Sequence, residues 1–144
     1  MGLEVFELIF NIPNLKTLKM KGFHHTERFV NDEWKNVEIT QQSKIENLEF
    51  LDMSNNFNIL KTVIKSLPNL KHLKLHSLDQ ISMEFISLNA KALKSLHVDN
   101  FISEEIFNEK LFLTLEEFSY RKIDYCLKTN TKVPKTHFEK LVFK

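Results

Sequence analysis

Residues 67–75 read LPNLKHLKL, and this stretch decides the fold of the chain. Leucines stand at positions 70, 73 and 75, three and then two residues apart. Because side chains along a strand alternate between its two faces, this spacing is typical of a short strand with an inward apolar side. The polar residues between the leucines are then left on the opposite face.

The same apolar pattern recurs along almost the whole chain. Its six segments cover residues 14–20, 47–53, 69–75, 92–98, 114–120 and 137–143. Their first apolar residues are at positions 15, 48, 70, 93, 115 and 138, so the separations are 33, 22, 23, 22 and 23. Four nearly equal intervals in a row indicate an internal repeat of strand units. The longer first interval predicts an insertion at about residues 24–44.

Between the strand segments the apolar spacing becomes helical. The three helical stripes are Val5, Leu8, Ile9 and Ile12; Ile59, Leu60, Val63, Ile64 and Leu67; and Ile102, Ile106 and Phe107. Ser103 is placed to cap the third helix, with Glu104 and Glu105 in its first turn. Each unit is therefore predicted to be one strand plus one helix. Since no unit can bury its apolar face alone, neighbouring units must stack and share a core.

With these segments the chain resembles the leucine-rich repeat proteins over nearly its full length. The phrases at residues 12–20 (IPNLKTLKM) and 67–75 are similar in particular to the repeats of F-box substrate-recognition subunits. The resemblance implies an α/β leucine-rich repeat solenoid of about six repeats. Such a horseshoe arc has a parallel sheet on the concave face and helices on the convex face. The chain departs from the family at the ladder position, usually Asn or Cys, where only Asn56 matches.

The whole chain, residues 1–144, is predicted to be a single leucine-rich repeat domain. It begins within a helical stripe and ends at Phe143 and Lys144, directly after the sixth strand segment. Repeat stacks normally end in atypical capping units with a polar outer face. We therefore expect a fragment without caps, or a truncated gene product of a longer protein.

Composition excludes several classes of protein. A net charge of +1 gives no overall field toward nucleic acid or an anionic membrane. The apolar run at residues 3–12 is interrupted by Glu4 and Glu7 and has no basic leader, so neither a signal peptide nor a membrane span is expected. A single cysteine, Cys126, cannot form an internal disulfide. We expect an intracellular protein, cytoplasmic or nuclear, that is a monomer or part of a larger chain.

The concave face is the predicted binding surface, since repeat proteins usually bind there. The candidate partner-binding residues on it are Lys19, Phe50, Asp52, His72, Lys74, His76, His97, Asp99, Glu117 and Arg121. Among the eighteen face positions of the six segments, six are Lys or Arg and three are Asp or Glu. This excess modestly favours a partner with acidic patches. The alternative is a solvated face with no selected partner.

No constellation of nucleophile, base and orienting group emerges, so no enzyme is expected. Histidines and Asp99 on neighbouring strands could in principle bind zinc, but His72 and His76 would lie about 13 Å apart along one strand. We therefore predict no metal and no cofactor, and a pH-responsive patch is the better hypothesis for the histidines. Cys126 is interpreted as a structural thiol. Trp34 is expected to pack on the edge of the stack rather than to anchor an interface.

The leading hypothesis for function is a protein–protein recognition module. The resemblance narrows it to the substrate-binding repeats of an F-box type ubiquitin ligase adaptor, where a separate F-box segment would contact the ligase scaffold. No such segment precedes the first motif, so this stretch is expected to recognise a target without recruiting a ligase. The alternatives are a scaffolding repeat protein unrelated to ubiquitin and a truncated product without independent function. An extracellular receptor would need cysteine-rich caps, and nucleic-acid binding would need clustered cations with interleaved aromatics.

Overall fold

The structure is a computed structural model that describes residues 3–21, 43–51, 57–101, 114–124 and 135–142. In these ranges the helices are α1 (Leu3–Phe10), α2 (Phe57–Lys65) and α3 (Gln80–Asn89). The strands are β1 (Thr17–Lys21), β2 (Asn47–Leu51), β3 (His72–Ser77), β4 (Ser95–Phe101), β5 (Glu117–Asp124) and β6 (Lys135–Val142). The predicted third helical stripe and most of the predicted insertion lie outside the described residues. No helix within the described ranges is long and apolar enough to cross a membrane.

One sheet contains all six of these strands, in the order of the sequence. β1 to β5 run parallel to one another, so the predicted α/β class with a parallel sheet is confirmed for this part of the chain. β6 is antiparallel to β5, and the prediction of a sixth parallel strand is wrong. Its Leu141 pairs with Phe118 across the two strands.

Chain length explains the reversal of β6. A parallel neighbour needs a crossover of about a dozen or more residues, whereas antiparallel strands can be joined by a short link. The repeat pattern predicts that the fifth strand ends near residue 120, but β5 continues to Asp124. Only ten residues then separate Asp124 from Lys135, where β6 begins. The regular 23-residue spacing therefore persists in the sequence although the direction of the strand changes.

Two apolar rows run across the five parallel strands and form the sheet side of the core. The strand register places Leu18, Leu48, Leu73, Leu96 and Phe118 side by side in the first row. The second row is Met20, Phe50, Leu75, Val98 and Tyr120. All ten are buried except Leu18, which is partly buried and packs against the others. Burial of each such side chain stabilises the fold by about 1.5–3 kcal/mol.

β2 corrects the predicted register of the second repeat. The motif expected Leu48, Leu51 and Met53 to point inward, whereas Ile45, Leu48 and Phe50 are the inward residues. Leu51 is only partly buried, and Met53 lies outside the described residues. The error arises because this segment has apolar residues at both odd and even positions. Either face of the strand could therefore be the buried one. Only packing against the neighbouring strands decides which phase is buried.

α1 buries a different side from the one its stripe predicts. Phe6 and Phe10 are in the core, with ring centroids 6.0 Å apart, whereas Val5, Leu8 and Ile12 are exposed. The larger aromatic rings fill the space against the sheet, and Ile9 is the one residue of the predicted stripe that packs against the core. The prediction that the stripe faces the core is therefore wrong for Val5, Leu8 and Ile12.

α2 and α3 cover the middle of the sheet. The predicted stripe of α2 is confirmed, since Ile59, Leu60, Val63, Ile64 and Leu67 are all buried. The sequence predicts no apolar stripe for α3, yet the helix begins directly after a capping residue. The carboxylate of Asp79 accepts a hydrogen bond from the backbone N–H of Ser82 at 2.7 Å, which caps the helix start. Its apolar pattern is obscured because Met83 and Ile86 are buried while Ile81 and Leu88 are exposed.

Candidate functional site

The side of the five parallel strands that faces away from the core is polar. By alternation it carries Thr17, Lys19, Lys21, Asn47, Glu49, Leu51, His72, Lys74, His76, Ser95, His97, Asp99, Glu117, Ser119 and Arg121. We call these fifteen residues the polar face. Each of them is exposed or partly exposed. Because every strand adds its own residues at the same height, side chains from neighbouring strands meet in rows.

Charges on the polar face pair with charges on the next strand. Lys19 Nζ lies 2.9 Å from Glu49 Oε1, and Lys74 Nζ lies 3.6 Å from Asp99 Oδ1. His97 Nε2 lies 3.2 Å from the same Asp99 oxygen. The face carries four Lys or Arg residues and three Asp or Glu residues, close to neutrality. The predicted positions on these five segments had the same balance, since the predicted excess of positive charge came from Lys140 and Lys144 of the sixth segment.

A second row of ion pairs lies just before the strands. Glu46 contacts lysines on both sides, with Lys16 Nζ at 3.1 Å and Lys71 Nζ at 3.3 Å. The hydrogen bonds from Lys16 and then Lys71 lower the pKa of Glu46 below its usual value of 4.5. On the polar face itself, the hydrogen bond from Lys19 lowers the pKa of Glu49 in the same way. These groups are largely in water, so the pairs add little stability.

Histidines on the polar face are hydrogen-bonded across the strands. His72 Nδ1 lies 2.7 Å from Ser95 Oγ, and His97 Nδ1 lies 2.7 Å from Ser119 Oγ. In each pair, the histidine and the serine are direct neighbours in the parallel register. These contacts orient both rings on the face. Among the described residues no group of three or more His, Cys, Asp or Glu is placed to hold a metal ion.

Ser119 contacts Nδ1 of His97 and Asp99 contacts its Nε2, which reverses the two ring nitrogens of a catalytic serine–histidine–carboxylate chain. Such a chain catalyses acyl transfer only beside donors that stabilise an oxyanion. Ser119 lies in the middle of β5, between β4 and β6, where the backbone N–H groups are committed to two strand ladders. The contacts of Ser119 and Asp99 fix the position of the His97 ring on the polar face.

A shallow depression of about 360 Å³ lies in the polar face, over β1 to β4. It is lined by Thr17, Lys19, Asn47, Leu48, Glu49, His72, Leu73, Lys74, Ser95 and His97. Cationic, anionic and neutral hydrogen-bonding groups are mixed in its lining. The depression can therefore accept several polar groups of a partner at once, but it has no strong preference for one sign of charge.

The structure separates the ten predicted binding residues into three groups. Eight lie on the polar face: Lys19, His72, Lys74, His76, His97, Asp99, Glu117 and Arg121. Phe50 is buried in the core because β2 has the other phase, so its placement on this face is wrong. Asp52 lies outside the described residues. That the remaining residues bind a partner is still a prediction.

Asn47 and Glu49 belong to the face but were missed. Both line the depression, and Glu49 carries the shortest ion pair of its row. The sequence contains a signal that could have found them, since Ile45, Leu48 and Phe50 follow the same three-and-two spacing as residues 70, 73 and 75. Choosing that phase for the second segment places Asn47 and Glu49 outward.

Comparisons with models of protein families, with curated proteins and with solved structures gave no match to this chain.

Proposed function

We propose that the chain is a leucine-rich repeat protein whose polar face binds another protein. The observation that carries this proposal is the depression on the polar face, with its mixed and regularly spaced charges. Protein surfaces offer both signs of charge together with amides and hydroxyls, and complementary arrangements of these groups give specific recognition. Residence in the cytoplasm or nucleus, as a monomer or as part of a larger chain, belongs to the same proposal.

Stacking of the repeats as a curved solenoid is part of the proposal, and the backbone supports it. At the start of four successive strands, the N–H groups of Asn47, His72, Ser95 and Glu117 donate to a carbonyl of the preceding unit. The acceptors are Lys16, Glu46, Lys71 and Lys94, and each of these hydrogen bonds is 3.0 Å long. Four equivalent bonds at equivalent positions are the expected result of repeating one structural unit.

The pairing of the charges favours a protein partner over nucleic acid. Phosphate backbones are bound by clustered cations that release counterions. Here Lys19 and Lys74 are each already next to a carboxylate. A protein partner has both acidic and basic groups, so it can form ion pairs with the lysines and with the carboxylates of this surface. A polyanion, in contrast, would be repelled by Glu49 and Asp99.

A narrower role is the target-reading region of an F-box type ubiquitin ligase adaptor. It is supported by the likeness of residues 12–20 and 67–75 to the repeats of such adaptors. The test is to purify the full-length natural protein from its own cells and to look for a ligase scaffold that accompanies it. Repeated purification without any scaffold would favour the alternative, a scaffolding repeat protein unrelated to ubiquitin.

The binding surface is tested by affinity capture with matched variants. The polar-face variant combines Lys74→Gln with His97→Ala, and the control combines Lys65→Gln with Lys91→Gln, two exposed lysines near the ends of α2 and α3. Partners captured by the unchanged chain are purified and their affinities measured by calorimetry. We expect the polar-face variant to bind about tenfold more weakly and the control to bind normally. A partner that binds both variants equally well would place the binding surface elsewhere.

A further inference from the structure

β1 is an end strand of the described sheet, and one of its sides carries no strand within the described residues. In the next unit, the N–H of Asn47 donates to the carbonyl of Lys16 on the preceding strand. The equivalent donor on β1 is the N–H of Thr17, which by the same geometry points to the open side. Parallel strands alternate their bonding direction, so the backbone groups of Lys19 and Lys21 point the same way. β1 therefore offers a row of hydrogen-bonding groups for one more strand.

The charges at this edge show which kind of strand fits. Glu46 has a lysine on each side, Lys16 at 3.1 Å and Lys71 at 3.3 Å, so one charge in this row can bond to both neighbouring strands. Among the described residues, Lys16 and Lys19 have a glutamate only on the β2 side. Their side chains are 55% and 58% exposed, compared with 41% for Lys71 inside the row. Acidic side chains on an added strand would complete both lysine pairs.

An exposed apolar stripe belongs to the same end of the chain. On α1, the helix that leads into β1, Val5, Leu8 and Ile12 are 41%, 70% and 49% exposed. Leu18 of β1 is the one partly buried member of its core row. An added strand with alternating apolar residues would lie next to Leu18 and would cover apolar surface at this end.

We propose that the β1 edge binds, by parallel strand addition, an extended segment of a partner protein in which acidic and apolar residues alternate. β2 shows that this chemistry fits β1 on its other side, because residues 45–50 read IENLEF and place Glu46 and Glu49 against Lys16 and Lys19. Strand addition uses the backbone for affinity and the alternate side chains for specificity. This interaction shares Lys19 with the polar face but is made through the backbone edge of β1.

A second copy of this chain is a poor occupant of the same edge. Lys16, Lys19 and Lys21 all lie at or beside β1, and the strand carries no acidic residue. Pairing two β1 edges would bring like charges opposite each other, which destabilises a strand pair. An acidic segment from another protein has no such conflict.

The proposal is tested with a synthetic peptide of residues 43–51, SKIENLEFL, labelled with a fluorophore. Binding to the full 144-residue chain is followed by fluorescence anisotropy at low salt. The control peptide, SKIKNLKFL, carries lysine in place of both glutamates. We expect saturable binding of the first peptide and at least about tenfold weaker binding of the control, because two attractive charge pairs become repulsive.

Two surface variants of the chain test the apolar part. Leu8→Ser removes the most exposed residue of the α1 stripe, and Leu88→Ser removes a leucine of nearly equal exposure, 67%, on α3. We expect Leu8→Ser to weaken peptide binding about fivefold and Leu88→Ser to leave it unchanged, with the same Tm for both.

Three results would overturn the proposal. Equal affinity for both peptides would show that the lysines do not select the strand. Absence of saturable binding would mean that the edge does not accept a strand from outside. A dimer in analytical ultracentrifugation that Leu8→Ser dissociates would assign the edge to a second copy. None of these results depends on Lys74 or His97, the residues changed in the polar-face variant, so the proposed function would stand or fall on its own test.

Discussion

The core face and the polar face are formed by alternate residues of the same strands, but different physical constraints act on the two faces. On the core face, three successive strands place the same residue type in one row, namely Leu48, Leu73 and Leu96. On the polar face, the next residues along the same strands are Glu49, Lys74 and His97. Packing restricts the first row because interiors are dense and have few voids. Packing does not restrict the second row in this way, and its three residues are an acid, a base and a histidine.

The largest expected effect is on the core face, for Leu73→Asp. Leu73 is buried between Leu48 and Leu96, and a carboxylate there has no partner for its charge. We expect a loss of more than about 4 kcal/mol, with the neighbouring units unfolding together. Far-UV circular dichroism at 25 °C should show a largely unfolded chain. A cooperative melt near that of the unchanged chain would mean that this face is not buried.

A smaller effect on the same face is expected for Leu96→Ala. The substitution removes a fully buried side chain and leaves a cavity between β3 and β5, which costs about 3 kcal/mol. Urea denaturation should show a lower midpoint with an unchanged slope. A change below about 1 kcal/mol would indicate that the row is loosely packed or that it relaxes to fill the space.

On the polar face, His97→Ala is expected to have little effect on stability. His97 is partly exposed and would lose its hydrogen bonds to Ser119 and Asp99, both of which can bond to water instead. We expect the free energy of unfolding to fall by less than about 1 kcal/mol. If His97→Ala destabilised the chain as much as Leu96→Ala, the distinction between the two faces would be wrong.

The smallest effect is the acid dependence of the lysine–glutamate pairs. Because the folded chain lowers the pKa of Glu46 and Glu49, their stabilising contribution is complete above the usual value of 4.5 and is lost as the pH falls through the lowered values. The Glu46→Gln, Glu49→Gln variant should therefore have a slightly lower Tm than the unchanged chain at pH 7. The difference should begin to shrink as the pH falls below 4.5, should vanish below the lowered pKa values, and should be smaller in high salt.

Glu7→Gln, on the exposed side of α1, is the control for the acid experiment. Its Tm difference from the unchanged chain should vary less with pH. A double variant as stable as the unchanged chain at pH 7 would show that the pairs contribute nothing measurable.

How well the sequence predicted the buried face of a strand depended on whether one or both of its faces carry apolar residues. Residues 72–77 and 95–100 have apolar residues in one phase only, and Leu73, Leu75, Leu96 and Val98 are buried as predicted. The second segment has apolar residues in both phases, and there Phe50 was assigned to the wrong face. For the candidate site, eight of ten residues were placed on the polar face because those strands were unambiguous. The cross-strand contacts of these residues could not be predicted, since they depend on the register.

By itself the sequence determined which segments become strands, because the spacing of apolar residues is a local property of the chain. Tertiary structure alone decided the phase of β2, the side of α1 that is buried and the direction of β6. In each of these cases two local arrangements are nearly equal in apolar content. The choice between them depends on the volume left by neighbouring units and on the length of chain available to connect them.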